Sequence, residues 1–150
     1  MQINIITRCT RVNNLVTVRD SIFNNIVKGI NIQWHIVFDT NVLKDIDAEI
    51  LAQIDDINTN LHFKKGDGWG LSQLNNLIHS LDGWIYHLDD DNILHPDFYS
   101  ELLHLPSKHT KANAIVFALD VAKKGFAPLP TVSVPFRVTL QDVTSYSHCY

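Results

Sequence analysis

Only two cysteines, Cys9 and Cys149, occur in the 150 residues, too few for the disulfide framework of a secreted domain. Neither a Cys-x-x-Cys nor a His-Glu-x-x-His spacing is present, which argues against a structural zinc site. No run of lysine or arginine stands out and the formal net charge is -4, so nucleic acid is not an expected partner. An anionic substrate would need local help, from a metal or from helix N-termini. Long hydrophobic runs are also missing. The longest apolar stretches are strand-sized and interrupted by polar residues, so no membrane span is expected. The chain opens straight into Ile3 without a basic n-region or a small-residue cleavage site, and the expected location is cytoplasmic.

With 45 % apolar and 19 % charged residues, the composition is that of a globular chain, and its length suits a single domain over residues 1–150. The first apolar run, Ile3–Ile6, reads as a buried strand followed by a polar stretch from Thr7 to Arg11. Leu15, Val18, Ile22 and Ile26 recur at helical spacing, predicting a helix of about fifteen residues with Gly29 as its stop. A second strand, Ile32–Phe38, runs into Asp39. Helices are expected around Ile46–Ile54 and Leu71–Leu81, with a short strand at Leu61–Phe63 between them. The fourth strand, Trp84–Leu88, runs into Asp89-Asp90-Asp91, and Pro96 suits the first turn of the next helix. Ala114–Leu119 reads as a fifth strand. Beyond it, Pro128, Pro130 and Pro135 among β-branched residues suggest edge strand and loop. Strands alternating with helices imply an α/β fold: a mainly parallel central sheet flanked by helices, with ligands at the carboxyl ends of the strands.

Polar clusters follow those strand ends. Three adjacent carboxylates at Asp89, Asp90 and Asp91 repel one another, and a divalent cation relieves that cost. In an extended segment Asp89 and Asp91 would face one way and Asp90 another. The triplet reads either as a metal or ribose site or as an exposed acidic turn capping a helix. Lys65-Gly66-Asp67-Gly68-Trp69-Gly70 is either a diphosphate cradle, with glycine amides and a lysine charge, or a tight strand-to-helix turn. Trp69 would be an apolar wall for a sugar or simple packing. Asp39 would accept from a nucleobase or ribose, or cap a turn. Arg8 and Arg11 would contact nucleobase or phosphate, or be solvated.

In context, the run Gly83-Trp84-Ile85-Tyr86-His87-Leu88-Asp89-Asp90-Asp91-Asn92-Ile93-Leu94-His95-Pro96-Asp97-Phe98 resembles the Asp-x-Asp motif of GT-A glycosyltransferases, especially those of family 2. The segment Lys65-Gly66-Asp67-Gly68 is similar to one in mannosylglycerate-synthase-type enzymes that lies beside the donor. The resemblance covers roughly residues 1–105. It implies a minimal GT-A (Rossmann-like) domain with a short C-terminal β/loop region, and a metal-dependent transfer of a hexose from a UDP- or GDP-sugar, of the UDP-glucose or GDP-mannose type, to an unknown acceptor. Mn²⁺ or Mg²⁺ would be held by Asp89 and Asp91, with His148 as third ligand. Arg8, Asp39, Lys65, Gly66, Asp67, Gly68, Asp89 and Asp90 would line the donor site. The chain departs from the family in two ways. The turn after the second strand is Asp39-Thr40-Asn41 instead of an acidic pair, and the acceptor half is short. The only later aspartates past Asp97 are Asp120 and Asp142, the candidates for a catalytic base. Three rival expectations stand beside this one: a non-catalytic or hydrolysis-only nucleotide-sugar binder, a haloacid-dehalogenase-like phosphotransferase, and a plain α/β structural module. In the phosphotransferase case the motif lies too late in the chain.

Overall fold

A computed structural model describes residues 1–43, 46–65 and 71–108. The chain divides into two units, Met1–Lys108 and His109–Tyr150, and the description concerns the first. The expected fifth strand at Ala114–Leu119 and the proline-bearing tail lie outside the described residues. Four strands, β1 (Gln2–Cys9), β2 (Asn31–Asp39), β3 (Thr59–Lys64) and β4 (Trp84–His87), form one sheet in the order β3-β2-β1-β4, and every pairing is parallel. The helices are α1 (Leu15–Phe23), entered through a turn of 3-10 helix at Val12–Asn14, α2 (Ala48–Ile54), α3 (Leu71–Ile78) and α4 (Phe98–Lys108). No described helix is long and apolar enough to cross a membrane.

A parallel sheet is covered on its faces because its crossover connections carry helices across them. The pairings Ile5↔Trp34 and Ile5↔Tyr86 align one face, which carries Ile3, Ile5, Thr7 and Cys9 from β1 beside Trp34, Ile36 and Phe38 from β2. These side chains are almost wholly buried. Leu15, Val18 and Ile22 of α1 are buried as well, and Phe23 meets Trp34 edge to face at 6.3 Å. Phe98 of α4 lies against Tyr86 at 4.9 Å, and the Tyr99 hydroxyl donates to the Ile22 carbonyl at 2.8 Å. Burial pushes the Tyr99 phenol above its ordinary range. Thr7 is polar yet fully buried, which works because its hydroxyl accepts from Trp34 Nε1 at 2.9 Å.

The opposite face has a different character. Ile6, Val37 and Leu74 of α3 form a small apolar cluster flanked by Leu77 and Leu81. Around it the face is polar: Asn4, Gln33, His35, Asn60 and His62. These groups satisfy one another, with Asn60 Nδ2 on Gln33 Oε1 at 2.9 Å, Gln33 Nε2 on Asn58 Oδ1 at 3.1 Å, and His35 between His62 and Asn4.

Several boundaries differ from the sequence reading. β1 continues through Thr7 and Arg8 to Cys9, because the alternation of inward and outward side chains outlasts the apolar run. α1 spans 9 residues and ends at Phe23, so Ile26 is off the helix and half-exposed. Gly29 sits near the start of β2 at φ +98°, in a turn. α4 begins at Phe98, two residues after Pro96, within a turn in which Phe98 N donates to His95 O at 2.9 Å. α2 is capped by Asp47, whose side chain accepts from Glu49 N at 2.8 Å.

Gly83, just before β4, has φ +97°, and a Cβ there would lie 2.8 Å from the Gln2 carbonyl oxygen and 2.9 Å from Gln2 Cβ. Both a left-handed backbone and a collision with main chain then oppose any side chain. Gly83→Ala is expected to cost about 2–4 kcal/mol of folding stability. Chemical denaturation measures it, and an unchanged midpoint would contradict this geometry.

Candidate active site at the strand-order reversal

The chain builds β1, β2 and β3 outward in one direction and then places β4 on the other side of β1. The strand order therefore reverses between β1 and β4, and the carboxyl ends of strands at such a reversal are the usual place of a ligand crevice in open α/β sheets. The residues that follow these two strands are Thr10 and Arg11 on one side and Leu88 to Asn92 on the other.

The acidic triplet is a tight turn, closed by Asn92 N donating to Asp89 O at 3.1 Å, and not the extended segment expected from the sequence. Its three carboxylates have three environments. Asp90 is 2 % exposed and points inward. Its Oδ2 accepts from Thr10 N at 2.6 Å, Thr10 Oγ1 at 2.9 Å and Arg11 N at 2.7 Å. Its Oδ1 accepts from Arg11 Nε at 3.0 Å and Nη2 at 2.6 Å. With both oxygens engaged by the protein, Asp90 clasps the two sides of the crevice together. Asp91 is 41 % exposed in its side chain and pairs with Arg11 Nη1 at 2.8 Å. The hydrogen bond to Asp90 raises the Arg11 pKa above its ordinary value, with the charges of both aspartates adding to it.

Asp89 is also partly exposed, and its Oδ1 lies 3.9 Å from His87 Nε2. Partial burial raises the Asp89 carboxyl pKa; His87 and Arg8 oppose the rise, and the other two aspartates reinforce it. Burial likewise lowers the His87 pKa, with Asp89 opposing and Arg8 adding. Arg8, His87 and Asp89 thus form a group whose charges act on one another. The register Ile6↔His87 puts His87 on the same face as Ile6, the face covered by α3.

The loop after Asp91 is anchored to α1. Leu94 N donates to Ser21 Oγ at 3.2 Å and Leu94 is buried. That contact, with the Tyr99 hydroxyl on Ile22, fixes where the turn can sit.

Asp39 ends β2 almost fully buried. Its Oδ1 accepts from Asn41 N at 2.9 Å, and its carbonyl accepts from Val42 N and Leu43 N, so it caps the turn that follows. Lys65 is exposed directly after β3. Gly66, Asp67, Gly68, Trp69, Asp120, Asp142 and His148 lie outside the described residues. Cys149 does too, while Cys9 carries a buried free thiol pushed up to about 12, chiefly by burial. Such a thiol is inert at neutral pH.

Among the described residues, no group of three or more His, Cys, Asp or Glu is placed to hold a metal ion. A protein-only cage is not the arrangement to test, however. Mg²⁺ and its analogues bind through one or two carboxylates and complete their shell with water and substrate phosphates. Asp89 and Asp91 offer two partly exposed oxygen donors at the crevice, and that donor set fits a cation shared with a diphosphate.

Three contributions are not expected from the sequence: Arg11 is expected only as a contact for nucleobase or phosphate, and Thr10 and His87 carry no expected role. The period-2 alternation of β4 carried a signal for His87. Trp84, Tyr86 and Leu88 mark one face, so Ile85, His87 and Asp89 belong to the other. Compared with known proteins, the chain matches no family model and no curated protein.

Proposed function

We propose that the chain is a metal-dependent glycosyltransferase domain that binds a nucleotide-diphospho-sugar, of the UDP-glucose or GDP-mannose type, and transfers its hexose to an acceptor. The observation that carries this reading is the position of the acidic turn: Asp89 and Asp91, partly exposed, stand at the carboxyl ends of the strands where the strand order reverses. Two further features support it. Arg8 and Arg11 supply positive charge at the same edge for an anionic ligand. Asp39 and Lys65 follow the next two strands outward, on the side where a nucleoside extending along the strand ends would run.

Asp89 and Asp91 would hold Mn²⁺ or Mg²⁺, which when bound supplies positive charge to the diphosphate as it becomes the leaving group. The protein's own part is to orient. Asp90 fixes the turn, Leu94 and Tyr99 hold the segment behind it, and Arg8 offers its guanidinium to a phosphate. Asp120 and Asp142 remain the proposed candidates for the catalytic base and His148 for the third metal ligand; all three lie outside the described residues.

Calorimetric titration of UDP-glucose and GDP-mannose, with Mn²⁺ and with a chelator, tests the reading. The expected result is binding that requires Mn²⁺ and weakens by roughly tenfold or more in Asp91→Ala and in Asp89→Ala. Absence of binding of either donor in the presence of Mn²⁺ would overturn it. Metal-dependent binding without transfer to any acceptor or to water would reduce the protein to a donor-binding module.

A further inference from the structure

The two ends of the Arg11 guanidinium sit in different surroundings. Nε and Nη2 both donate to Asp90 Oδ1, at 3.0 and 2.6 Å, and Asp90 is sealed from solvent. Nη1 faces outward and meets Asp91 Oδ2 at 2.8 Å, in a pair whose side chains are 52 % and 41 % exposed. Exposed ion pairs of this kind are weak, whereas a charged hydrogen bond to a buried carboxylate is strong. The inner end is therefore an anchor and the outer end is exchangeable. The Asp91 carboxylate that Nη1 pairs with is also one of the two that would hold a divalent cation, and two cations cannot share it without repulsion.

We propose that Arg11 is the resident counter-ion of the acidic turn: it occupies Asp91 while no metal is bound, and yields that carboxylate to a divalent cation while staying hinged on Asp90. The inference rests on the proposed metal role of Asp89 and Asp91. It makes Arg11 a positioning residue with two consequences. Metal affinity in the absence of donor is held below what the carboxylates alone would give. The displaced Nη1 becomes available to the anion that accompanies the metal, so diphosphate and cation favour each other's binding, reciprocally.

The test is titration of Mn²⁺ alone, followed by the electron paramagnetic resonance signal of the free ion. It uses the full chain as wild type, Arg11→Lys, Arg11→Gln, Asp91→Asn and the double variant Arg11→Lys/Asp91→Asn. A lysine keeps a positive charge for Asp90 but cannot fork to a second carboxylate, and glutamine offers Asp90 a neutral donor. Arg11→Lys is expected to bind Mn²⁺ about two- to fivefold tighter than wild type, Arg11→Gln at least as tightly as Arg11→Lys, with no gain from Arg11→Lys in the Asp91→Asn background. Inorganic pyrophosphate should raise wild-type Mn²⁺ affinity more than that of Arg11→Lys, after allowance for the complex the two form in solution. Circular dichroism identifies any variant that fails to fold, and the glutamine variant then carries the comparison. Wild type binding Mn²⁺ as tightly as every folded Arg11 variant would overturn the counter-ion role alone. No Mn²⁺ binding by wild type or any variant would overturn it together with the metal reading of the turn.

Discussion

Asp90→Ala is expected to lose about 3 kcal/mol of folding stability, more than any other single substitution in the acidic turn. The carboxylate accepts five hydrogen bonds, three of them on Oδ2 from groups at the end of β1. Alanine leaves the Thr10 and Arg11 amides facing a site from which solvent is excluded. Each orphaned donor then costs its own desolvation. The Arg11 charge contributes less to the loss, because its side chain is half-exposed and can turn toward water or toward Asp91. Asp90→Asn retains an acceptor for the amides but presents an amide group to Arg11, and should fall between the two. Asp89→Ala, at a partly exposed position without a close backbone partner, should shift stability by less than about 1 kcal/mol. Urea denaturation separates these cases. Equal midpoints for Asp90→Ala and wild type would refute the clasp, and a large loss in Asp89→Ala would misplace it.

The second large effect is a loss of stability in mild acid. His35 is 6 % exposed, its Nδ1 is 3.2 Å from His62 Nε2, and its Nε2 is 3.4 Å from Asn4 Oδ1. Since Asn4 Nδ2 donates to the Asp82 carbonyl, Asn4 Oδ1 must accept, so His35 carries its proton on Nε2 and accepts on Nδ1 from His62. A second proton on His35 has no place that does not face the N–H of His62. Burial, and then His62, accordingly pushes His35 down to about 4, and burial, with Lys64, lowers His62 as well. The folded pKa lies below the unfolded one, so the unfolded chain binds more protons between the two values. Stability is full above about pH 6.5 and falls as pH drops toward 4, by roughly 3 kcal/mol from His35 alone. Asp89 works in the opposite sense, since its raised carboxyl favours the folded state as pH falls. The decisive quantity is thus the difference between wild type and His35→Gln across pH 7 to 4.5. A wild-type slope that survives unchanged in His35→Gln would show that the acid sensitivity arises elsewhere.

Much of the first unit was legible in the residues. Strands separated by helical periodicity imply the parallel sheet, because Ile3–Ile6, Ile32–Phe38 and Trp84–Leu88 are short, mostly apolar runs that alternate with helical stretches. The strand ends could be found for the same reason. Boundaries drifted where polarity misled. Thr7 and Arg8 belong to the hydrophilic stretch that follows the apolar run, yet Thr7 is buried against the Trp34 indole and Arg8 continues the ladder opposite Val37. Ile26 continued a helical spacing that the backbone had already left. Order in the sheet was not legible at all, since spacing along the chain says nothing about which side of β1 receives β4. The role of Asp90 was hidden for that reason: its partners, Thr10 and Arg11, lie 80 and 79 residues away and become neighbours only through that pairing. The polar side of the sheet was missed because a histidine in a strand gives no sign of whether another histidine stands beside it.

The same separation has a bearing on how the chain folds during its synthesis. β1 lies inside the sheet, and β2 and β3 can pair with it in the order in which they emerge from the ribosome. Its other edge has to wait for residues 84–87, and until then it exposes main-chain donors and acceptors that could recruit a neighbouring nascent chain. Among the described strands, the β1–β4 pairing at the site is accordingly the one that closes over the longest stretch of chain. A chain interrupted before β4 would keep three paired strands, with Thr10 and Arg11 in place but without the Asp90 carboxylate that they hold.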